Sequence, residues 1–356
     1  DGAQDYDLLL RVTDDPRVAV THVARVLYHW RKHSESSLGK TDAKPYTHLA
    51  GKRALADAMS RRGFAAVVED GPQPNTYSSR RQALEEPAVS IVICSRTPRL
   101  LESCVSSIRK RTRYGRYEIV VVHHLTNDNQ SAIAEIVNRL QCKRITYSGE
   151  FNFARMNNIG VRETTGDYIL FLNDDTEVID EKWLAAMASR LSEDGVGIVG
   201  AKLLYRSSAL QHAGIAVNGL TGASHPGRAS FGSLGWNWFA MTRELSAVTG
   251  ACLAIKRKIF DRVAGFDESL PVDFNDIDLC MKVRVAGYQV IIESSAVLQH
   301  DECGTRTPQR LTPGAKAFVE RWRPKLLRSD RFWTRHLTLD EAMMPDARGF
   351  DRLRLG

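Results

Sequence analysis

The sequence predicts an α/β fold: a mostly parallel sheet with helices on both faces. Three observations predict it. From residue 88 onward, compact apolar runs alternate with stretches whose apolar residues recur at helical spacing. The apolar runs are bounded by turn-forming residues, as buried strands are. One of them, YILFL, ends in Asn173, Asp174 and Asp175, three short polar side chains at the strand end where open α/β sheets bind ligands.

Taken in order, AVSIVICS (88–95) reads as the first strand and RLLESCVSSIRK (99–110) as the first helix. YEIVVVHH (117–124) is a second buried strand, and SAIAEIVNRL (131–140) a second helix. FNFARMNNIGVRETTGDYILFL (151–172) gives a helix, a turn at Thr165-Gly166-Asp167 and a third strand that runs into the acidic tip. Residues 205–241 are rich in Gly, Ser and aromatics without a sustained period and read as a long loop, a kind of segment that often serves as a functional lid. Strand, helix and turn resume over 246–268. The first 87 residues depart from this plan: 48–63 is helix-prone, and 69–87 reads as a linker rich in turn formers and charge.

At 356 residues and 43% hydrophobic, the chain can bury a full-sized core, as one large domain with accessory segments or as two domains. No apolar run approaches the roughly 18 residues of a membrane span. The first residues, DGAQDYDLLL, lack a basic-then-apolar leader pattern, so a cytoplasmic setting is expected. Six scattered cysteines without a CxxC pair point to reduced, packing thiols rather than a zinc ribbon or a disulfide framework. The net charge of +7 suits anionic partners. Basic residues gather at 107–117 and 319–336, either as solvated helix faces or as a contact with a membrane surface or lipid phosphate. No nucleic-acid-binding motif accompanies them, and nucleic acid is not an expected partner.

An internal echo bears on organisation. DYDLLLRV (5–12) matches DIDLCMKV (276–283), ARVLYHW (24–30) matches SAVLQHD (295–301), and the spacing from Asp to His is the same in both copies. Residues 1–40 are therefore expected to be the C-terminal remnant of an upstream module like the one at 88–305. Residues 41–87 would then be a helical connector and linker, and 306–356 a basic helical extension. Singly, an Asp opening a helix is ordinarily a cap and a His at a strand end ordinarily structural. Their joint recurrence nominates Asp276 and His300 for chemistry.

Adjacent carboxylates repel unless a counter-charge intervenes. Two aspartates and a histidine make an incomplete oxygen and nitrogen set for Mg²⁺ or Mn²⁺, leaving positions for phosphate oxygens. A separate carboxylate at Asp276 could take a proton from an incoming hydroxyl. Glycosyl transfer from a nucleotide sugar uses these parts together; a nucleotidyltransferase or a metal-dependent phosphohydrolase uses similar ones.

The segments VSIVICSRT, YEIVVV, FNFARMNNIG, GDYILFLNDDTEV, SAVTGACLAIKR, GFDESLPVDFNDIDLCMKVRVAGY and AVLQHDE follow one another in an order that resembles family 2 glycosyltransferases of the GT-A fold. The resemblance is to the bacterial branch of rhamnosyltransferases and O-antigen or cell-wall polysaccharide enzymes. It implies a Rossmann-like, mixed but mostly parallel sheet and an inverting single displacement dependent on Mn²⁺ or Mg²⁺. It implies dTDP-rhamnose or a UDP-hexose as donor, and as acceptor a growing surface polysaccharide or lipid-linked glycan at the inner face of the plasma membrane. Residue by residue, the resemblance makes Asp175 and His300 metal ligands and Asp276 the catalytic base. Asn173 stands where the family's first metal-motif Asp is usual, Asp174 faces the donor, and Asn275 replaces a Glu on the acceptor side. Ser95, Arg96 and Thr97 fall at the nucleobase pocket, and Asn158 and Gly160 match an Asn-x-Gly that approaches the donor. His123 takes the place of an Asp that binds the nucleobase imide; a neutral imidazole nitrogen can accept the same hydrogen bond, or the residue merely ends a strand. Thr249, Gly250 and Ala251 resemble the acceptor-side segment, and Trp236 and Trp238 could stack on sugar rings or simply pack. A non-catalytic nucleotide-sugar or glycan-binding module is the alternative.

Overall fold

The computed structural model describes residues 2–21, 23, 27–28, 45–71, 73–81, 86–125, 130–218, 222–228, 237–301, 313–323 and 330–333. The chain divides into two compact units, one of residues 1–84 with 348–356 and one of residues 85–347.

In the first unit, α1 (Gln4–Val12) packs on α2 (Pro45–Arg61), and α2 packs on a hairpin of β1 (Ala66–Asp70) and β2 (Tyr77–Arg81). Asp14 accepts from the Nε atoms of Arg61 and Arg62 at 2.7 Å each, tying the end of α1 to the end of α2. The stretch read as linker thus contains a strand. Its polar sequence, YSSRR, hides the pairing, which rests on backbone bonds and on the Arg80–Glu69 ion pair at 2.5 Å rather than on an apolar face.

The second unit runs β3 (Val89–Ser95), α3 (Pro98–Arg111), β4 (Tyr117–His124), α4 (Gln130–Arg139), β5 (Lys143–Tyr147), α5 (Phe153–Arg162), β6 (Tyr168–Asn173), β7 (Thr176–Val178), α6 (Trp183–Leu191) and β8 (Val196–Leu204). It continues with β9 (Leu210–His212), β10 (Ala216–Asn218), β11 (Gly222–Ser224), β12 (Arg243–Glu244), β13 (Cys252–Lys256), α7 (Arg257–Arg262), α8 (Asn275–Val285), β14 (Gln289–His300) and α9 (Pro313–Trp322). The main sheet has the order β12-β14-β8-β13-β6-β3-β4-β5. β3, β4, β5 and β6 pair in parallel, as do β8 and β14, whereas β13 runs antiparallel between β6 and β8. The sheet is therefore mixed and mostly parallel, as expected.

Side chains alternate across it. Ile91 and Ile93 face a core with Leu101 and Ile108 of α3, Ile133 of α4, and Trp183 and Met187 of α6. Val92 and Phe171 face the other core, with Met156 of α5, Phe260 of α7, Leu279 of α8 and Phe318 of α9. The region read as one long loop, 205–241, instead contains β9, the β10–β11 hairpin and a 3-10 turn at Asn237–Ala240. These segments are too short to show a period in sequence. β5 was also hidden, because KRITY at the sheet edge is mostly exposed and carries no apolar run.

Both members of the echo are helical. Asp7 pairs with Arg11 at 2.9 Å in α1, and Asp278 lies 3.5 Å from Lys282 at the matching positions of α8. In α8 the residues Leu279, Cys280 and Val283 are fully buried; their counterparts Leu8, Leu9 and Val12 are exposed. The second half of the first copy, residues 24–30, falls mostly outside the described residues.

The expected basic surface is largely engaged. Arg109 donates to the carbonyls of Leu140 and Gln141 and lies over the Tyr117 ring. Arg111 donates to Val178 O, Arg116 to Glu86 O, and Arg113 pairs with Glu181. In the second cluster, Arg321 is paired with acids, and residues 324–329 and 334–336 lie outside the described residues. The cysteines described, Cys94, Cys104, Cys142, Cys252 and Cys280, are all free thiols. No helix among the described residues is long and apolar enough to cross a membrane.

Candidate active site

The parallel strands end on one edge, and antiparallel β13 begins there. Ser95, His124 and Asn173 close β3, β4 and β6, with His123 one residue before the end of β4, and His300 closes β14. Thr249-Gly250-Ala251 leads into β13, where Asn173 N donates to Ala251 O at 3.0 Å. Residues from distant parts of the sequence meet because sheet register, rather than sequence proximity, sets their neighbours.

The strand tip is held from β3. Ser95 Oγ donates to Asp174 Oδ2 at 2.6 Å and in turn accepts from Thr97 N at 3.3 Å. Burial pushes the Asp174 carboxyl up to about 6; the Ser95 hydrogen bond opposes this, the charge of Asp175 adds to it, and Arg96 counters it. Arg96 is exposed, its guanidinium 5.7 Å from the centre of the Phe151 ring. His123 is fully buried in register with Ser95, and its neighbour His124 places Nε2 3.0 Å from Gly149 O.

Asp175 and His300, which the resemblance makes metal ligands, lie side by side. His300 Nε2 lies 3.1 Å from Asp175 Oδ1, with side chains 7% and 14% exposed. The approach is set by β7–β14 pairing, in which Thr176 faces His300, and by Asp301 N donating to Asp175 O at 3.0 Å. Beside them an open cleft of about 620 Å³ is lined by Tyr205, Arg206, Ser207 and Asp301. Among the described residues no group of three or more His, Cys, Asp or Glu side chains is arranged to hold a metal ion. A carboxylate and an imidazole nitrogen at this separation still fit a hard divalent ion whose other positions go to phosphate and water.

Asp276 opens α8 facing the same edge. Its Oδ2 accepts from Gly250 N at 2.7 Å and its Oδ1 from Ile277 N at 2.9 Å. Gly250 leaves the carboxylate room: a Cβ there would lie 3.3 Å from Asp276 Cβ, a tight contact that a shift of tenths of an ångström would relieve. Phe274, just before the helix, has φ 63°, a left-handed conformation costly for a bulky residue, and its ring packs 5.1 Å from that of Phe318. The strain sits two residues from the carboxylate it aims.

Three expected site residues are placed elsewhere. Asn275 is 2% exposed and donates to the carbonyls of Leu270 and Val272, shaping the loop before α8 instead of lining an acceptor surface. Asn158 donates to Phe266 O and accepts from Phe266 N, bracing the turn after α7. Gly160 packs α5 onto the sheet, where a Cβ would lie 2.5 Å from Val92 Cγ1 and 2.9 Å from Val122 Cγ2. Trp236 and the side chain of Trp238 fall outside the described residues.

Sequence reasoning missed His212, which is 1% exposed on β9. Its Nε2 accepts from Gly214 N at 3.3 Å and Thr249 N at 3.4 Å, and its Nδ1 lies 3.1 Å from Nδ1 of His225. The only sequence signal was one His set among apolar residues, in ALQHAGIAV.

Residues 89–263 match the model of Glycosyl transferase family 2. Over 97% of its length the chain is 37% identical to "Uncharacterized protein y4gI" of Sinorhizobium fredii, of which it covers 39%. Over 95% of its length it is 33% identical to "O-antigen biosynthesis protein RfbC" of Myxococcus xanthus, of which it covers 27%. The chain thus spans well under half of either relative. Among solved structures, one of GalNAc-T7 with UDP, GalNAc and Mn²⁺ superposes with a TM-score of 0.53 at 15% identity, covering 67% of this chain and 50% of that one, a likeness of fold. Fold, motif order and family match agree: residues 89–263 of this chain match family 2 glycosyltransferases, within a unit that has the GT-A fold.

Proposed function

We propose that this domain transfers a sugar, with inversion, from a nucleotide-diphosphate donor to a hydroxyl of a growing surface polysaccharide or lipid-linked glycan. The observation that carries the proposal is the convergence of three pairs on one sheet edge: Ser95 with Asp174, His300 with Asp175, and Gly250 with Asp276. The O-antigen name of the Myxococcus xanthus relative supports the acceptor class. dTDP-rhamnose and UDP-hexoses are the candidate donors.

The residues have separable tasks. Asp276, held by the Gly250 amide, takes the proton from the acceptor hydroxyl. The freed oxygen attacks the anomeric carbon as the bond from that carbon to the phosphate oxygen breaks, and the nucleoside diphosphate leaves with the electron pair. Ser95 fixes the rotamer of Asp174, which faces the donor, while Arg96, Thr97 and His123 border the base pocket. Asp175 and His300 would hold Mn²⁺ or Mg²⁺, which when bound stabilises negative charge on the leaving diphosphate. The lipid-linked acceptor class places the reaction at the cytoplasmic membrane face, approached peripherally, with residues 1–40 belonging to an upstream glycosyltransferase-like module.

The test is calorimetric titration of UDP, dTDP and GDP into the protein with and without Mn²⁺. We expect one nucleoside diphosphate to bind selectively, at least ~10-fold tighter with the ion, and Asp175→Asn and His300→Ala to remove the ion's contribution. Equal binding with and without Mn²⁺ would refute the metal assignment. Selective binding without donor turnover would favour a non-catalytic module.

A further inference from the structure

We infer that His212 is a positioning residue for the Asp276 carboxylate, acting through the Thr249-Gly250 turn; the inference rests on the reading of Asp276 as base. The two backbone contacts fix its tautomer. Amide N–H groups can only donate, so His212 Nε2, which faces those of Gly214 and Thr249, must present its lone pair. The ring proton is then on Nδ1, which donates to Nδ1 of His225 at 3.1 Å. His225 therefore accepts at Nδ1 and carries its own proton on Nε2. The rings meet nearly edge to face, with centroids 5.2 Å apart.

The Thr249-Gly250 turn is thereby held from both sides, by the imidazole pair at one amide and by the reacting carboxylate at the next. His225 receives the proton of His212 Nδ1, His212 Nε2 receives the Thr249 amide, and the next amide, Gly250 N, donates to Asp276 Oδ2 at 2.7 Å. One residue of backbone separates the imidazole's contact from the carboxylate's. Turning the Thr249 amide would swing the Gly250 N–H away from Asp276. Burial and the neighbouring positive groups keep the imidazole neutral, which this arrangement requires, since protonated Nε2 would face two donors.

The other tautomer, with the proton on Nε2, predominates in free imidazole side chains, so the assignment is readable. Long-range ¹H–¹⁵N correlation on ¹⁵N-histidine-labelled protein, with His212 assigned by its loss in His212→Gln, reports the wild-type tautomer directly. We expect Nδ1–H for His212 and Nε2–H for His225. In turnover, measured as nucleoside diphosphate release from the best donor of a UDP-, dTDP- and GDP-sugar panel, His212→Phe should lower kcat at least tenfold with donor KM within threefold. His212→Gln, whose carbonyl oxygen can accept where Nε2 does, should recover kcat to within threefold of wild type. An Nε2–H tautomer for His212, or a kcat within twofold of wild type in His212→Phe, would overturn the inference. The tautomer is read on the wild-type chain, so it decides even where the Phe variant misfolds. Wild-type turnover in Asp276→Asn would instead overturn the base assignment and leave the tautomer unchanged.

Discussion

Gly160→Ala separates packing from donor contact at a position where the family resemblance favours the latter. The added Cβ would sit 2.5 Å from Val92 Cγ1 and 2.9 Å from Val122 Cγ2. Comfortable carbon contacts begin near ~3.5 Å, so α5 must move off the sheet by most of an ångström or both valines must leave their rotamers. Valine is stiff at χ1, and both residues are fully buried on central strands. Overpacking of this kind costs ~1–3 kcal/mol, and the close approach on both sides argues for the upper half. Better helix propensity returns ~1 kcal/mol, leaving a net loss of ~1–2 kcal/mol. For a domain of this size that lowers Tm by ~2–8 °C. Urea unfolding followed by circular dichroism measures the loss, and calorimetry well below Tm measures nucleotide affinity. The packing account predicts reduced stability with affinity within about twofold. Unchanged stability with lost affinity would refute it and restore Gly160 to the donor site.

Other perturbations follow from the same structure. Asp278 is fully buried, and its Oδ1 accepts from Arg321 Nη1 and Trp322 Nε1, each at 2.9 Å. Trp322→Phe keeps a ring but removes one donor to a charge, and should cost ~2 kcal/mol in urea unfolding. A change below ~0.5 kcal/mol would show that the indole does not support the carboxylate. His212 is held well below its ordinary 6.5 by burial first, then by His225, His300, Arg228 and Arg243. Its folded form refuses a proton that the unfolded chain accepts, so its stabilising contribution is full above pH 6.5 and is lost as pH falls. Comparison of wild type with His212→Gln should show an extra slope approaching ~1.4 kcal/mol per pH unit below pH 6; parallel profiles would contradict the burial argument. Gly250→Ala brings a Cβ to 3.3 Å from Asp276 Cβ, a shift of tenths of an ångström. It should lower kcat several-fold with little change in unfolding midpoint, and unchanged kcat would argue against a geometry-sensitive carboxylate.

How much of this was legible in the sequence depended on whether the signal was local. VSIVIC and YILFL announced buried strands because both faces of their strands are covered, and the acidic tip was visible as a break in an apolar run. The echo, with its repeated Asp-to-His spacing, singled out Asp276 and His300, and the structure sets His300 against Asp175. KRITY and YSSRR failed as strands in sequence because edge and hairpin strands have little apolar burial to advertise. Asn158, Gly160 and Asn275 were legible as unusual residues, but whether a polar or small residue serves a ligand or its own packing depends on partners that only the fold selects, from Leu270 beside Asn275 to Phe266, 108 positions from Asn158. His212 was illegible for the same reason, its partners lying on the turn before β13 and across the β10–β11 hairpin.

The central claim is that Asp276 removes the acceptor proton at the edge where Asp174 and Asp175 meet the donor. Nucleoside diphosphate release by Asp276→Asn, with donor affinity measured on the same preparation, tests it most directly. The account predicts that kcat falls ~10²- to 10⁴-fold while donor Kd stays within about threefold. Wild-type turnover, or a loss wholly explained by weakened donor binding, would contradict it.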